Sequence, residues 1–270
     1  MRYSKRTFLL IFFVALSVLF FLQNYEHIIA GSSVKTITVF AASSLTDPFR
    51  ETGKLFEHKN PGVRVVFNFA GSQKLLAQLK EGAKGDVFVP AGPEEINECV
   101  KNSLIVPQKT KIFAGNHLII VFPRDNPGKI TGIPDLTGKG LKIVMADISV
   151  PAGRYTLKSL ELMEKSSGKG FKDKVLKNVV SREENVKAVM TKILLGEGDA
   201  GFVYVSDVDF KNNKTGTIKI PDKFNVAISY PAVSLKHAKN MELADKFVRF
   251  LLSEECQTIL KRYNFIPIDK

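Results

Sequence analysis

The stretch TITVFAASSLTDPFRETGKLFEHKN, residues 36–60, contains the unit that repeats through the rest of the chain. Its first part, TITVFAA, is β-branched, aromatic and small, which predicts a strand. Its second part has the apolar spacing of a helix, and Pro48 is suited to the first helical turn. Because a strand followed by a helix recurs to the C-terminus, the sequence predicts an α/β protein with parallel sheets covered by helices on both faces.

The same alternation continues after residue 60. Strands are predicted in VRVVFNFA, GDVFVPAG, HLIIVFP, LKIVMAD, AGFVYVSD and VAISYPAVSL. Helices are predicted in SQKLLAQLKEG, PEEINECVKNS, PAGRYTLKSLELMEK and EENVKAVMTKILLGEG, and one long helix is predicted in MELADKFVRFLLSEECQTILKRY. This many elements divide more naturally into two α/β lobes than into a single sheet.

The composition is that of a globular protein with a basic surface. Of its 270 residues 44% are hydrophobic, which is enough for a sizeable core. The net charge of +12 is spread over lysines in nearly every segment, and no long basic run follows Arg6. The aromatic residues lie within apolar runs, so a platform that stacks nucleic-acid bases is not expected. The charge indicates only a general attraction for anions.

The cysteines and histidines do not predict a metal site in the protein. Cys99 and Cys256 lie far apart, and the four histidines are scattered without the paired spacing of zinc ligands. Two states of the cysteines stay open: a single long-range disulfide, or two buried thiols, which the sequence favours.

The N-terminal segment is predicted to direct export. Residues 1–6, MRYSKR, are cationic, and residues 7–22, TFLLIFFVALSVLFFL, are apolar and uncharged, as in a secretory signal. Ala30 followed by Gly31 offers a cleavage point, although Ile28 departs from the usual pattern of small residues. Residues 1–33 are therefore either a removed signal peptide or an uncleaved anchor. The rest of the chain is expected in the periplasm or at the outer face of the cell membrane.

Three segments run from a strand end through small residues into a helix: FAASSLTDPF, FAGSQKLLAQL and VPAGRYTLKSL. Small residues let a ligand approach the backbone, and a helix start presents unpaired N–H groups with a partial positive charge. Ser44 and Ser72 add hydroxyl groups at two of these junctions, and Val186 lies in the first turn of a fourth helix. Together the junctions are suited to hold a dianion with neutral donors. Taken singly, either serine is better explained as a helix cap.

Signatures of enzymes are missing from the sequence. It contains no G-x-S-x-G elbow, no phosphate-binding P-loop, no dinucleotide fingerprint and no H-E-x-x-H motif. Tyr204 in GFVYVSD is typical of a core aromatic residue, and Asp86 and Asp207 are typical of turns or caps. No catalytic residue and no cofactor are therefore predicted.

Five segments resemble, in order and spacing, the molybdate-binding periplasmic proteins of ABC importers: ITVFAASSL, FNFAGSQKLLAQLKEGAKGDVFVPA, VPAGRY, GFVYVSD and FLLSEECQTILKRYNF. The likeness extends from Thr36 to Phe265. It implies a two-lobed type II periplasmic-binding fold, in which each lobe is a mostly parallel sheet flanked by helices and the ligand lies in the cleft. Lobe one would comprise residues 35–118 and 230–270, and lobe two residues 119–229.

The same resemblance implies the binding residues. Two hydroxyl groups, two backbone N–H groups and one phenol are expected to hold the oxyanion, and they belong to Ser44, Ser72, Ala152, Val186 and Tyr204. Ser43 leaves open which of the two adjacent serines donates. The implied ligand is molybdate or tungstate, with the metal present only inside the oxyanion.

The implied function is that of an extracytoplasmic receptor, not an enzyme. It would be a monomer that delivers its oxyanion to a membrane permease with a cytoplasmic ATPase, and it would have no nucleic-acid partner. Three alternatives stay open at this point. One is a receptor for sulfate, thiosulfate or phosphate, in which Asp86 or Asp207 would accept the proton of phosphate. Another is an exported anion-processing enzyme on the same fold. The third is a membrane-tethered adhesion or interaction module, which would bind no small ligand.

Overall fold

A computed structural model describes residues 34–268 of the chain. The predicted export segment, residues 1–33, lies outside the described residues. Within the described range, no helix has the length and apolar character needed to cross a membrane.

The described strands form two sheets, numbered here in chain order. The first sheet has the spatial order β11-β4-β10-β3-β1-β2. Its strands are β1 (Lys35–Ala42), β2 (Val63–Ala70), β3 (Val87–Val89), β4 (Lys111–Asn116), β10 (Ile228–Ser234) and β11 (Ile266–Pro267). The second sheet has the order β7-β6-β8-β5-β9. Its strands are β5 (Leu118–Pro123), β6 (Ile143–Ala146), β7 (Val179–Glu183), β8 (Ala200–Tyr204) and β9 (Thr215–Lys219).

Helices flank both sheets, which confirms the α/β class and the two-sheet architecture. Between residues 34 and 268 they are α1 (Thr46–Lys59), α2 (Ser72–Lys80), α3 (Pro93–Lys101), α4 (Pro151–Ser167), α5 (Phe171–Lys177), α6 (Val186–Leu194), α7 (Met241–Phe250) and α8 (Glu254–Arg262). The prediction of one long C-terminal helix is wrong, because the chain breaks between α7 and α8. The Ser253 hydroxyl accepts a hydrogen bond from Cys256 N at 3.3 Å and so caps a new helix.

The sheets are mixed rather than mostly parallel, which corrects that part of the prediction. The strand β1 pairs with β3 in parallel, and β6 pairs with β7 and β8 in parallel. The pairs β3–β10, β10–β4, β4–β11, β5–β8 and β5–β9 are antiparallel. The reason is the path of the chain. The strand β10, which forms two of these antiparallel pairs, enters the first sheet directly from β9 of the second sheet, without the crossover helix that parallel neighbours require.

An aromatic cluster anchors α1 to α7 beside the first sheet. The Phe56 and Phe247 rings pack edge to face with centroids 5.1 Å apart, and Phe49 lies 6.3 Å from Phe247. Cys256 lies in the same core, and its sulfur is 3.7 Å from the Thr52 hydroxyl. In the described part of the chain both Cys99 and Cys256 are buried free thiols, as the sequence favoured. Burial raises the pKa of each thiol to about 12.

Asp86 joins three segments of the first sheet. Its carboxylate accepts hydrogen bonds from Thr38 N in β1 and from Lys239 N after β10, both at 2.7 Å. Its backbone N–H donates to Thr38 O, and its carbonyl accepts from Leu235 N. The side chain is 5% exposed, so these bonds lie where water cannot replace them.

We expect Asp86→Ala to lower the free energy of unfolding by about 2–4 kcal/mol, because it removes a buried carboxylate that accepts hydrogen bonds from two backbone N–H groups. Chemical denaturation measures the change. Asp125→Ala, which removes an exposed carboxylate, is the control and should stay within about 0.5 kcal/mol of the wild type. Equal stability of the two variants would contradict the structural role of Asp86.

Candidate functional site

A small pocket lies where several helices begin, between the two sheets. The chain turns that line it contain all five residues predicted to bind the anion, together with Ser43. Its lining residues are Ala42, Ser43, Ser44, Gly71, Ser72, Ala91, Val150, Pro151, Ala152, Val186 and Tyr204. Its cavity volume is about 10 Å³, which is room for about one water molecule. The structure therefore brings together residues that are far apart in the sequence.

Two glycines allow the helix starts to approach the pocket closely. A Cβ atom on Gly153, in the first turn of α4, would lie 2.0 Å from Asp147 O. A Cβ atom on Gly71, directly before α2, would lie 2.4 Å from Glu184 O in the turn before α6. No side chain fits at such distances. The glycine of VPAG thus lets α4 begin against the end of β6, and Gly71 lets the α2 turn meet the α6 turn.

Backbone donors come from α4 and α6. Ala152 is the second residue of α4 and Val186 is the first residue of α6, and N–H groups at these positions have no acceptor within their own helix. The Asn185 side chain caps α6 by accepting from Ala188 N at 3.0 Å, which leaves the Val186 N–H uncommitted to this cap. Both residues are buried, so a ligand in the pocket would find these groups without competing bulk water.

The hydroxyl of Ser72 is held in an orientation suited to donation. Its oxygen accepts a hydrogen bond from Ala91 N at 3.0 Å. A backbone N–H can only donate, so the Ser72 oxygen must be the acceptor and its own proton stays free. Ser44, from the turn before α1, is 2% exposed and lies 2.9 Å from the hydroxyl of Tyr230 in β10. The adjacent Ser43 also lines the pocket, and its backbone oxygen accepts from the Thr46 hydroxyl at 2.7 Å.

Tyr204 combines a buried ring with an unsatisfied hydroxyl. The residue is 1% exposed, and among residues 34–268 its hydroxyl has no hydrogen-bond partner. An unpaired buried hydroxyl costs free energy unless a ligand supplies the missing bond. Burial raises the pKa of Tyr204 well above its usual value, so the phenol keeps its proton at neutral pH. Its ring packs edge to face on Tyr230, with centroids 6.2 Å apart.

In the described residues, no Asp, Glu, Lys, Arg or His lines this pocket. Arg154, which follows VPAG directly, points to a different partner: it donates to Glu95 Oε1 at 2.6 Å and to Ser149 O at 2.6 Å. Glu95 is 3% exposed, and its burial raises its pKa although Arg154 acts in the opposite direction. The pocket is therefore a set of neutral donors with a positive charge nearby that is already paired.

Comparisons with known proteins show the family of the chain. Residues 37–266 match the family model of bacterial extracellular solute-binding proteins. The chain belongs to this family. It is 36% identical over 231 residues to the molybdate-binding protein ModA of Mycobacterium tuberculosis. The aligned region covers 86% of this chain and 84% of that protein. This confirms the resemblance read from the sequence. The family is one of extracellular binding proteins, which supports the predicted export and a binding rather than a catalytic role.

Solved structures show the same fold at lower sequence identity. The periplasmic molybdate-binding protein of Azotobacter vinelandii aligns with a TM-score of 0.75 at 19% identity, covering 86% of this chain and all of that one. The sulfate-binding protein SubI of Mycobacterium tuberculosis aligns with a TM-score of 0.79 at 16% identity, covering 87% and 88%. The type II periplasmic-binding fold implied by the sequence is thus confirmed.

Ion pairs join the helices of the two sheets around the pocket of this solute-binding protein. Each connects a residue near the first sheet to one near the second: Glu95–Arg154 at 2.6 Å, Asp47–Lys187 at 2.6 Å, Lys74–Glu184 at 3.3 Å and Glu94–Lys158 at 3.5 Å. Apart from Glu95–Arg154 they are largely exposed, and such pairs each contribute little to stability. They do set the two sides of the pocket in register.

The two carboxylates considered as acceptors for phosphate lie outside the pocket lining. Asp86 is engaged by the backbone of the first sheet. Asp207 accepts from Tyr204 N at 3.1 Å and so fixes the backbone that carries the Tyr204 ring. A wider groove beside Asp207 contains charges of both signs, among them Lys187 and Arg262, which pair with Asp47 and Glu51. This groove therefore offers an oxyanion no comparable set of neutral donors.

Sequence reasoning missed Tyr230, whose hydroxyl contacts Ser44, and Asn116, whose amide contacts that hydroxyl. Tyr230 stands in SYPAV, a segment read only as a crossing between lobes, and it is separated from Ser44 by 186 positions. A hydrogen bond between residues so far apart in the sequence leaves no pattern in any short segment. Among residues 34–268 no three His, Cys, Asp or Glu side chains converge as a metal site would require.

We expect Asp207 to make the stability of this protein depend on pH. Burial raises the pKa of its carboxyl from 3.8 to about 6. An acid with a higher pKa in the folded state takes up a proton on folding, so its contribution is most favourable at low pH and is lost as pH rises through about 6. The gap between the two pKa values corresponds to about 3 kcal/mol.

Asp207→Asn keeps an oxygen for Tyr204 N but cannot ionise. The free energy of unfolding of the wild type, relative to Asp207→Asn, should fall by about 2–3 kcal/mol between about pH 4 and about pH 7. Denaturation curves over this range measure the difference, and Asp209→Asn, which removes an exposed carboxylate, is the matched control. If the difference in free energy of unfolding between the wild type and Asp207→Asn does not change with pH, the pKa of Asp207 is not raised in the folded protein.

Proposed function

We propose that this protein is the extracytoplasmic receptor of an ABC importer and that it binds molybdate or tungstate in the pocket between the two sheets. The observation that carries the proposal is the lining itself: hydroxyl groups and helix-start N–H groups, without a charged side chain among the described residues. Molybdate and tungstate are fully deprotonated dianions near neutral pH, so they accept hydrogen bonds and donate none. Relatives of this chain that are 36% identical bear the name of molybdate-binding proteins.

Five donors would hold the anion. Ser44 and Ser72 supply hydroxyl groups from the side of the first sheet, and Ala152, Val186 and Tyr204 supply two N–H groups and a phenol from the side of the second. Ser44 rather than Ser43 is the proposed donor, because its oxygen is engaged by Tyr230 and its proton can then face the pocket. A ligand bonded to both sides joins them, since its binding energy depends on the two sets of donors being close together.

The lobes in this proposal are residues 35–118 with 230–270, and residues 119–229. Their connections would be the short links around His117 and between β9 and β10, which are the described segments that cross from one sheet to the other. Rotation about such links would open the pocket to solvent and close it on the ligand. Export of the chain as a monomer, and transfer of the anion to a permease with a cytoplasmic ATPase, complete the proposed role. No catalysis is part of it.

Selectivity would follow from hydrogen-bond polarity and from size. Phosphate keeps at least one proton near neutral pH and needs an acceptor, and no carboxylate within the described chain lines the pocket. Sulfate has no proton but shorter bonds, so a ring of donors set for a larger anion would leave some of them unpaired. Each unpaired buried donor costs about 1–3 kcal/mol.

Titration calorimetry with molybdate, tungstate, sulfate and phosphate tests the proposal. We expect molybdate and tungstate to bind at least about 100-fold more tightly than the other two. In a melting experiment, molybdate at about 100 times its dissociation constant should stabilise the protein by about 2.7 kcal/mol. Tight binding of sulfate alone would support the sulfate-receptor alternative, and absence of binding by all four anions would overturn the proposal.

Tyr204→Phe tests the role of the phenol. The substitution keeps the ring and removes an unpaired hydroxyl, so the ligand-free protein should keep or slightly raise its melting temperature. If the hydroxyl bonds a charged oxygen, molybdate affinity should fall by about 10- to 100-fold. Unchanged affinity, measured by the same calorimetry, would exclude Tyr204 from the binding site.

A further inference from the structure

A series of buried, hydrogen-bonded side chains leads from the link at His117, between the two sheets, to the pocket. Asn116, at the end of β4, is 1% exposed, and Tyr230 of β10 is fully buried. Asn116 Nδ2 lies 3.4 Å from the Tyr230 hydroxyl, and that hydroxyl lies 2.9 Å from Ser44 Oγ. Neither Asn116 nor Tyr230 lines the pocket, so neither is expected to touch a ligand there.

The backbone fixes which way the Asn116 amide faces. His117 N donates to Asn116 Oδ1 at 2.9 Å, and an N–H group requires the oxygen rather than the nitrogen at that position. Asn116 Nδ2 therefore points the other way. Its two protons have two acceptors within reach, Ser206 Oγ at 2.8 Å and the Tyr230 hydroxyl at 3.4 Å.

The direction of the remaining bonds follows from this. Because Asn116 Nδ2 can only donate, the Tyr230 oxygen accepts in that contact. If it also accepted from Ser44, the phenolic proton would have no acceptor among the described residues, so that proton goes to Ser44 Oγ. Ser44 then accepts from Tyr230, so its own proton cannot be spent on that contact. Burial raises the pKa of Tyr230 and keeps the phenolic proton in place. A hydroxyl that accepts one hydrogen bond is also polarised to donate a stronger one.

We propose that Asn116 and Tyr230 are positioning residues that set Ser44 as a hydrogen-bond donor toward the pocket, and so favour oxyanions without a proton. The inference deepens the proposed function and rests on it. In the opposite polarity, Ser44 would spend its proton on Tyr230 and present only lone pairs to the ligand, which repel a dianion and suit a protonated one. The donor-to-acceptor direction of these hydrogen bonds thus affects which anion binds, although Asn116 and Tyr230 do not touch the anion.

Tyr230→Phe removes the hydroxyl that links the chain and keeps the ring, which packs against Phe113, Tyr204 and Phe265 with centroids 6.4, 6.2 and 5.2 Å away. We expect its affinity for molybdate at about pH 8 to fall by about 3- to 10-fold, since Ser44 loses its fixed orientation but keeps its hydroxyl. Phosphate, which carries a proton at this pH, should lose less, so the ratio of the two affinities should fall as well.

A double-mutant cycle separates positioning from packing. In a Ser44→Ala background, Tyr230→Phe should change molybdate affinity by less than about twofold, because the residue through which it acts is gone. Tyr263→Phe, which removes the same atom from a half-buried tyrosine outside the pocket, is the control and should bind molybdate as the wild type does. Melting temperatures without ligand show whether each variant is folded.

Four results would decide against this inference or a part of it. Wild-type affinity in Tyr230→Phe, or an equal loss with and without the Ser44 hydroxyl, would overturn the positioning role while leaving the receptor function intact. A lower molybdate affinity with an unchanged ratio to phosphate would overturn the effect on specificity. A wild-type protein that does not bind molybdate would overturn the receptor function and this inference with it.

Discussion

The free N–H groups of helix starts are the feature on which the pocket depends. A helix leaves its first N–H groups without an internal acceptor, and their dipoles give that end a partial positive charge. The starts of α2, α4 and α6 reach the pocket, as does the turn before α1. Each helix follows the end of a strand, so the two sheets fix where it begins. Because strand and helix alternate in this way, the facing edges of the two sheets bring several helix-start N–H groups together in one cluster.

Among residues 34–268, charged side chains lie beside the pocket rather than in its lining. Arg154 follows the α4 turn directly, yet it pairs with buried Glu95 on the other side, and Lys187 pairs with Asp47. An anion in the pocket would therefore meet fixed dipoles instead of a counter-charge. Such dipoles are effective where water is excluded, because they need no reorientation when the ligand arrives. In the proposed function, recognition would then depend on where the donors point, so that a change in the direction of the Ser44 hydroxyl would affect which ligand binds.

Local sequence pattern was sufficient for most helices and strands, and it failed where distant segments compete. The strand-to-helix junctions at Ser44, Ser72 and Val186 were readable because small residues and helix starts leave a signal within about ten residues. The C-terminal helix was overextended because its apolar spacing runs through the break that Ser253 caps. The sheets were expected to be mostly parallel because strand order is invisible in a linear pattern. The short link at His117 brings β4 and β5 into different sheets without a helix between them.

The sequence by itself determined the class of fold, the resemblance to oxyanion-binding proteins and the positions of the helix starts, since each is written in a short contiguous segment. The tertiary structure decided which of these starts share a pocket. It also decided that Gly71 meets the turn at Glu184, and that Ser44 is backed by Tyr230, 186 positions away. Those contacts depend on the order of strands in two sheets and on the link between them. A hydrogen bond between such distant residues has a direction only once the backbone has placed its partners.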